Sequence, residues 1–415
     1  ALKFPEPIKL PEAQKLLDER SAMLAFSLGE QESFLFAVTS NDYKVFKLKP
    51  AAEIRRQVDD LLGAIHGKGR ANSPMGTFKS SARELYQSLI EPAKEMLAGK
   101  SELIVVADES LHRLPFEVLL TTQPEGKWEQ LPYLVRDFAI SYAPSVSVLA
   151  FLKTQPKHTT PKDFIAFGDP IIGKDDQLND QAKMLASSAT RSLAIKPERF
   201  GFWRKVFGSS TRGASTGTLK FDRLPFSRDE ATEIAKLFPA GKADLFLDKN
   251  ATEENAKTKD LLGQYGIVHF STHGLPHEDR PRFSSLIMSS PAKAKQDTAT
   301  IEDGWLSAYE IFNLKLKANL VVLSACETGL GKEVKGEGLM SLTRAFMYAG
   351  APSVVVSLWK VNDAASKDLM VAFYRQLRGG EKLSYSEALR RAQLEMIGKG
   401  NAPKFWAPFV LVGKP

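Results

Sequence analysis

Cysteine is almost absent from this chain, since Cys326 is the only one in 415 residues. A single cysteine excludes an intrachain disulfide. Most free cysteines are small buried hydrophobes, and that interpretation of Cys326 is the ordinary one. If the thiol does chemistry it needs a reducing compartment, so we expect a cytoplasmic protein.

Long apolar runs are absent as well. No stretch approaches the roughly 20 apolar residues of a membrane-spanning helix, and the N-terminus lacks the basic-then-apolar layout of a secretion signal. We therefore expect no membrane partner. The first residue is Ala1 rather than methionine, as in a processed product or a fragment of a longer protein. We find no repeat of about 33–34 residues, so any such repeats would lie outside this chain.

Excess charge is scarce outside one segment. The net charge is +7, and residues 191–223 account for +6 of it, with eight Lys or Arg against two Asp or Glu. A nucleic-acid footprint would spread over a folded face, so the composition argues against nucleic acid as a partner. Three interpretations of the segment stay open: a solvated insert, a patch for a nucleic acid or another anionic partner, and a site of limited proteolysis.

The remaining composition is that of a soluble globular protein, with 43% apolar and 25% charged residues. The length allows a large core and more than one folding unit. Residues 1–80 predict a small α/β module, a helix followed by a three-stranded meander. Beyond it, β-rich runs alternate with helical patterns, which predicts an α/β fold with a mainly parallel sheet flanked by helices. One predicted helix, 227–238, starts with a capping box of Ser227 and Glu230.

The lone thiol follows a buried strand. Leu320 to Leu323 is the short apolar run of a strand inside a parallel sheet, and Cys326 comes three residues after it. Ligand crevices form at the carboxyl ends of such strands, which makes Cys326 a candidate nucleophile. The glycines of 329–338 predict a flexible loop that orders on activation.

A second predicted strand ends in the same way. The stretch 265–274 reads YGIVHFSTHG and presents His273 just before Gly274. His273 precedes Cys326 by 53 residues, which suits two parallel strands joined by a crossover. A cysteine and a histidine delivered from two strands predict a nucleophile and its base. We interpret His269, on the same predicted strand face as His273, as structural.

Three histidines in this region raise the alternative of a metal site: His269, His273 and His277. A His-x-x-x-His pair converges on a metal only in a helix, and Gly274 and Pro276 oppose one. No carboxylate has the spacing of a zinc motif. We therefore expect neither a metal nor a cofactor.

Several longer motifs resemble the CHAT family, the caspase-like cysteine protease domains often found beside tetratricopeptide repeats. They are HFSTHG (269–274), LVVLSACETGLG (320–331), GEGLMSLTRAFMYAGAPSVVVSLWKVND (336–363) and WAPFVLVG (406–413), with DESLHRLPFEVLL (108–120) and FAISYAPSVSVL (138–149) resembling the start of that domain. The resemblance covers roughly residues 81–413. In caspases, a cysteine in a similar short motif has its histidine about 50 residues upstream.

The resemblance implies a cysteine endopeptidase of the caspase and separase clan, with His273 and Cys326 as its dyad. We accordingly divide 81–413 into a non-catalytic half (81–190), a basic insert (191–223) and a catalytic half (224–413). The backbone N–H groups of Gly274 and Cys326 are candidates for the oxyanion hole. The expected partners are a protein or peptide substrate and a regulatory protein or fused domain. The alternative is a catalytically silent scaffold that binds a protein partner.

Three residues are candidates for substrate binding. Asp363 directly precedes a predicted helix, so an N-cap is its first interpretation. The second is an acidic wall of the S1 pocket, because separases resemble this chain at LWKVND and prefer arginine at P1. Trp359 is interpreted as core or pocket wall, and Glu327 as surface or specificity residue.

Overall fold

The structure, a computed structural model, describes residues 7–67, 74–172, 223–276, 281–289, 303–325, 332–334, 338–340, 342–360 and 362–415. The strands are β1 Ser21–Ser27, β2 Ser33–Val38, β3 Tyr43–Leu48, β4 Glu102–Val106, β5 Ala139–Tyr142, β6 Lys162–Gly168, β7 Ala243–Leu247, β8 Tyr265–Ser271, β9 His273–Leu275, β10 Ser285–Ile287, β11 Trp305–Ser307, β12 Leu320–Leu323, β13 Lys332–Val334, β14 Gly338–Met340, β15 Ser353–Ser357 and β16 Phe409–Gly413. The α-helices are α1 Leu10–Gln14, α2 Ala51–Ile65, α3 Pro74–Leu89, α4 Val146–Thr154, α5 Pro225–Ala235, α6 Glu253–Lys257, α7 Ala308–Ile311, α8 Leu342–Tyr348, α9 Asp363–Arg378, α10 Tyr385–Gly398 and α11 Pro403–Trp406. Short 3₁₀ turns lie at Glu91–Leu97, Glu109–Arg113, Phe116–Val118, Trp128–Gln130, Leu134–Arg136, Asp248–Asn250, Leu262–Gln264 and Pro281–Phe283.

Within these ranges, eleven strands form one sheet in the order β3-β2-β1-β4-β5-β16-β15-β12-β8-β6-β7. Strands β15, β12, β8, β6 and β7 run parallel to one another, and so do β1, β4 and β5. Strand β16 is antiparallel to β15 and parallel to β5. The two parallel halves therefore run in opposite directions and meet at β16. The predicted α/β fold with a mainly parallel sheet is confirmed.

The predicted N-terminal meander is present as β1, β2 and β3, which pair antiparallel. These strands continue the main sheet, because Ser21 to Ala25 of β1 pair with Glu102 to Val106 of β4. Helix α3 runs across residue 80. The boundary between the N-terminal module and the rest stays an interpretation.

Helices cover both faces of the sheet. Side chains alternate between faces along a strand, so Leu24 packs in the main core with α2 and α3, while its neighbour Met23 packs under α1 and α4. At the other end, a row of aromatic rings crosses three strands, with Phe167 stacked on Phe246 and on Phe270 at centroid distances of 5.1 and 5.2 Å. No helix among the described residues is long and apolar enough to cross a membrane.

The predicted capping box at Ser227 is wrong. Helix α5 begins at Pro225 with Leu224 as its N-cap, because proline suits the first helical turn. The Ser227 hydroxyl donates to the Leu224 carbonyl and accepts from the Asp169 N–H, at 2.7 and 2.8 Å. Glu230 consequently points into the core.

A buried carboxyl lies beneath β5. Glu117 is 1% exposed and accepts a hydrogen bond from the Tyr142 hydroxyl at 2.7 Å. Burial raises the pKa of Glu117 to about 7. Because the native state then keeps a proton that the unfolded state releases, stability falls as the pH rises from the ordinary carboxyl pKa to about 7.

We expect Glu117→Gln to be more stable than the wild type at pH 8 and not at pH 4. Glutamine can still accept from Tyr142 and has no charge to bury, so the gain at pH 8 is up to about 3 kcal/mol. Urea unfolding at the two pH values measures it. The control is Glu254→Gln at an exposed position, which should leave the pH dependence unchanged. A Glu117→Gln curve parallel to that of the wild type would contradict the assignment.

Candidate active site

Five parallel strands end at one edge of the sheet, where ligand crevices form in open α/β folds. Polar side chains follow each of them. In sheet order from β7 to β15 they are Asp248, Asp169, His273, Cys326 and Asp363. The sequence therefore places the predicted dyad and the predicted S1 carboxylate after strands of the same edge.

The register between β8 and β12 relates the two dyad positions. Leu320 pairs with Ile267 and Leu323 with Phe270, so paired residues differ by 53 in number. His273 and Cys326 also differ by 53, and each comes three residues after the last pair. The two positions are thus equally far, in sequence, past the last paired residues of two adjacent parallel strands. Cys326 itself lies outside the described residues, as does Glu327.

The chain approaching Cys326 is held by both neighbouring strands. The Ser324 N–H donates to the Phe270 carbonyl at 2.8 Å, which extends the pairing with β8 by one residue. The Ala325 carbonyl accepts from the Ser357 hydroxyl at the end of β15. Residues 324 and 325 therefore lead the chain out between β8 and β15, at the carboxyl edge.

His273 lies in a second sheet. It begins β9, which pairs with β10 so that His273 faces Ile287 and Gly274 faces Leu286. The chain leaves the main sheet at Thr272, whose hydroxyl donates to the Ile287 carbonyl. The imidazole is partly exposed. The expectation that His269 and His273 share one strand face is wrong, because β8 ends at Ser271.

His269 is fully buried, as expected of a structural histidine. Its Nε2 lies 2.8 Å from Glu230 Oε1 and its Nδ1 lies 3.1 Å from the Tyr374 hydroxyl. Among the described residues, no three His, Cys, Asp or Glu side chains are grouped as a metal site. His277 lies outside those residues.

Asp363 is the first residue of α9, but it does not cap that helix. The N-cap is Asn362, whose side chain accepts from the Ala365 N–H at 3.1 Å. The Asp363 carboxylate instead accepts from the Phe226 N–H at 3.0 Å, at the start of α5. The N-cap interpretation of Asp363 for its own helix is therefore wrong, and the carboxylate caps a different helix.

The Asp363 side chain is half-buried. Burial raises its pKa, and nearby carboxylates raise it further; these are Glu230, Asp169 and Asp229. A carboxylate in such surroundings gains from a cation that neutralises it. The start of α5 and the start of α9 therefore form an acidic, partly exposed wall at the carboxyl edge.

A charge cluster that the sequence analysis missed lies beside it. The carboxylate of Asp169, 2% exposed, accepts two bonds of 2.7 Å from the guanidinium of Arg223 and one of 2.9 Å from Arg228. Both arginines also pair with Asp248. In the sequence, Asp169 stands within Gly168-Asp169-Pro170. The edge-of-sheet argument applied to Cys326 would have found it, since Asp169 directly follows β6.

A family model described as the CHAT domain matches residues 79–414. The chain belongs to the CHAT domain family. The resemblance inferred from the motifs within residues 81–413 is therefore confirmed, and the family model extends slightly beyond them at both ends.

Two curated relatives of this CHAT domain are much longer proteins. Tetratricopeptide repeat protein 28 of Mus musculus is 37% identical over 278 residues, which are 58% of this chain and 11% of that protein. The Homo sapiens protein of the same name is 24% identical over 367 residues, 81% of this chain and 13% of that protein. The chain thus spans about a tenth of the length of these relatives.

Solved structures show the fold. A chain in the crystal structure of the Saccharomyces cerevisiae separase–securin complex superimposes with a TM-score of 0.50 at 11% identity, covering 98% of this chain and 30% of that one. The CHAT domain therefore has the caspase-like fold.

Trp359 of the CHAT domain lies in the core. It is 6% exposed, its indole N–H donates to the Lys404 carbonyl at 3.2 Å, and its ring meets His66 edge-on at 5.2 Å. These neighbours belong to α11 and to the end of α2, whereas Asp363 contacts α5. Trp359 therefore packs against different elements from those that Asp363 contacts.

Proposed function

We propose that this CHAT domain is a cysteine endopeptidase with His273 and Cys326 as its dyad. The observation that carries the proposal is the shared register offset of β8 and β12. It supports placing the two residues at one edge, where an imidazole can take a thiol proton. The partly exposed side chain of His273 leaves the base accessible to a substrate.

In this mechanism the Cys326 sulfur gives its proton to His273 and attacks the scissile carbonyl carbon. The tetrahedral oxyanion accepts hydrogen bonds from the N–H groups of Gly274 and Cys326. His273 then protonates the leaving amine as the C–N bond breaks, which leaves an acyl-thioester on Cys326. Water, deprotonated by His273, hydrolyses the thioester and restores the thiol.

The acidic wall at Asp363 supports a preference for a basic P1 residue. Its half-buried carboxylate has no described Lys or Arg as an ion-pair partner, whereas Asp169 and Asp248 beside it are paired with two arginines. A guanidinium or ammonium entering there gains a charge-assisted hydrogen bond. Glu327, two positions before Gly329 and outside the described residues, stays a proposed specificity residue, and Trp359 is assigned to packing.

Regulation and context are part of the proposal. The matched stretches are only 11% and 13% of the relatives named for tetratricopeptide repeats, and separase was crystallised with securin. Both support control of this chain by a fused domain or a partner protein. A lone catalytic thiol supports a cytoplasmic location. Residues 81–190, 191–223 and 224–413 remain the proposed non-catalytic half, insert and catalytic half.

The test is a cleavage profile on a peptide library derived from a whole proteome. We expect the wild type to cut after Arg or Lys and Cys326→Ala to cut nothing. Cleavage after Asp, or after Leu and Met, would contradict the basic P1 preference but would still show endopeptidase activity. No cleavage by the wild type, together with no reaction between Cys326 and an electrophilic peptide, would favour the silent scaffold instead.

A further inference from the structure

The buried contact between His269 and Glu230 connects parts of the proposed site that are far apart in sequence. Glu230 is 1% exposed, and His269 and Tyr374 are fully buried. The three side chains come from α5, β8 and α9. Each of these elements also carries or holds a group of the proposed active site.

Strand β8 leads to the proposed base. His269 is four residues before His273, and its ring is fixed on both sides, by Glu230 at 2.8 Å and by the Tyr374 hydroxyl at 3.1 Å. Phe164 packs beside the ring at a centroid distance of 6.1 Å. The imidazole therefore has one orientation, and the end of β8 is fastened to two helices.

Helix α5 leads to the proposed S1 carboxylate. Phe226 is four residues before Glu230, so the two lie on the same side of α5, about one turn apart. At that position the Phe226 N–H donates to Asp363. Glu230 and Phe226 thus connect the His269 imidazole to the Asp363 carboxylate through a single helical turn.

Helix α9 carries both Asp363 and Tyr374 and so connects the two ends of this set of contacts. Asp363 is its first residue, and Tyr374 comes eleven residues later, about three turns along on the same side. His269 contacts Glu230, the preceding turn of α5 contacts Asp363 through the Phe226 N–H, and Tyr374 of α9 contacts His269. The base-bearing strand and the pocket carboxylate are joined in one ring of hydrogen bonds.

Stability alone does not account for this ring. Burying a carboxylate and an imidazole costs free energy, and apolar side chains of similar volume are often as stable in their place. One oxygen, Glu230 Oε2, has no hydrogen-bond partner among the described residues. What the polar contacts provide, and apolar ones do not, is direction and a fixed distance.

We propose that Glu230 is a positioning residue that sets the distance between His273 and the proposed S1 carboxylate of Asp363. The proposal rests on the proposed function. A peptide must place its P1 cation on Asp363 while its scissile carbonyl meets Cys326 and His273, and an error of about 1 Å in such a placement costs about 100-fold in rate. Removing Glu230 releases β8 from α5 and lets the two subsites move apart.

The test compares Glu230→Ala with the wild type on peptides with arginine or a neutral residue at P1. Reaction of Cys326 with an electrophilic peptide counts the active molecules. Per active molecule, we expect kcat/KM for the arginine peptide to fall about 10- to 100-fold and the preference for arginine to shrink. Glu230→Gln, which can keep the bond to His269, should restore most of both.

The matched control is Glu233→Gln, which removes the 3.3 Å ion pair with Lys367 between the same two helices and leaves the ring intact. It should keep kcat/KM and the P1 preference. If Glu230→Ala does not fold, Tyr374→Phe removes only the hydroxyl that contacts His269. It should lower both kcat/KM for the arginine peptide and the P1 preference, by a smaller factor than Glu230→Ala.

Two outcomes are distinguishable. A wild type that cleaves peptides, with Glu230→Ala or Tyr374→Phe matching it in kcat/KM and in P1 preference per active molecule, would overturn the positioning role alone. A wild type that neither cleaves nor labels would overturn the proposed function, and the positioning role with it.

Discussion

His273→Ala is expected to lower kcat for peptide cleavage by about 10²- to 10⁴-fold, the usual contribution of a general acid–base. Without the imidazole, the proposed base that takes the Cys326 proton and returns one to the leaving amine is lost. KM should change little, because the P1 contact at Asp363 is untouched. Steady-state kinetics on an arginine peptide, with active molecules counted by thiol titration, measures both parameters.

The control for that loss is His158→Ala. His158 lies at the opposite edge of the sheet, where its backbone N–H donates to the Asn319 side chain just before β12. This variant should keep the wild-type kcat. Equal losses in the two variants would mean that a general loss of stability, rather than a missing base, explains the effect. Cys326→Ala sets the background rate.

Asp363→Asn is expected to lower kcat/KM for arginine at P1 by about 100-fold and to change cleavage after a neutral residue little. A charged hydrogen bond contributes about 1.5–3 kcal/mol, which corresponds to about 10- to 200-fold. Asparagine can still accept from the Phe226 N–H, so the start of α5 stays in place. The matched control is Asp368→Asn, an exposed carboxylate further along the same helix.

The same residue gives a pH dependence. Burial raises the pKa of Asp363, and only its charged form attracts a P1 cation. As the pH falls through that raised pKa, KM for the arginine peptide should rise, at a pH above the ordinary aspartate pKa. The Asp363→Asn variant should lack this acid limb. If KM rises at low pH in the same way in both proteins, the titrating group is not Asp363.

Much of the fold follows from local patterns in the sequence. The apolar runs of β1, β2 and β12 are typical of strands, and these strands are where the sequence predicts them. The order of strands in the sheet does not follow, since it depends on pairings such as β16 with β5. Nothing within β16 specifies that neighbour.

The site divides in the same way. The positions of His273 and Cys326 after two strands could be predicted, because each follows a short β-rich run in the sequence. The 53-residue spacing between them suits a crossover connection between parallel strands. The partners of Asp363 and Glu230 could not. Both residues have the spacing of helix caps, but each makes a contact with another element, Asp363 with α5 and Glu230 with β8. Tertiary packing overrides a capping preference of about 1 kcal/mol.

The most direct test of the dyad is a pH titration of the thiol by its ultraviolet absorbance. With one cysteine in the chain, the signal belongs to Cys326 alone. An imidazolium beside the sulfur lowers the thiol pKa below its ordinary value of about 8.5. The account predicts a lowered pKa in the wild type that returns toward the ordinary value in His273→Ala. One and the same ordinary pKa in both proteins would contradict it.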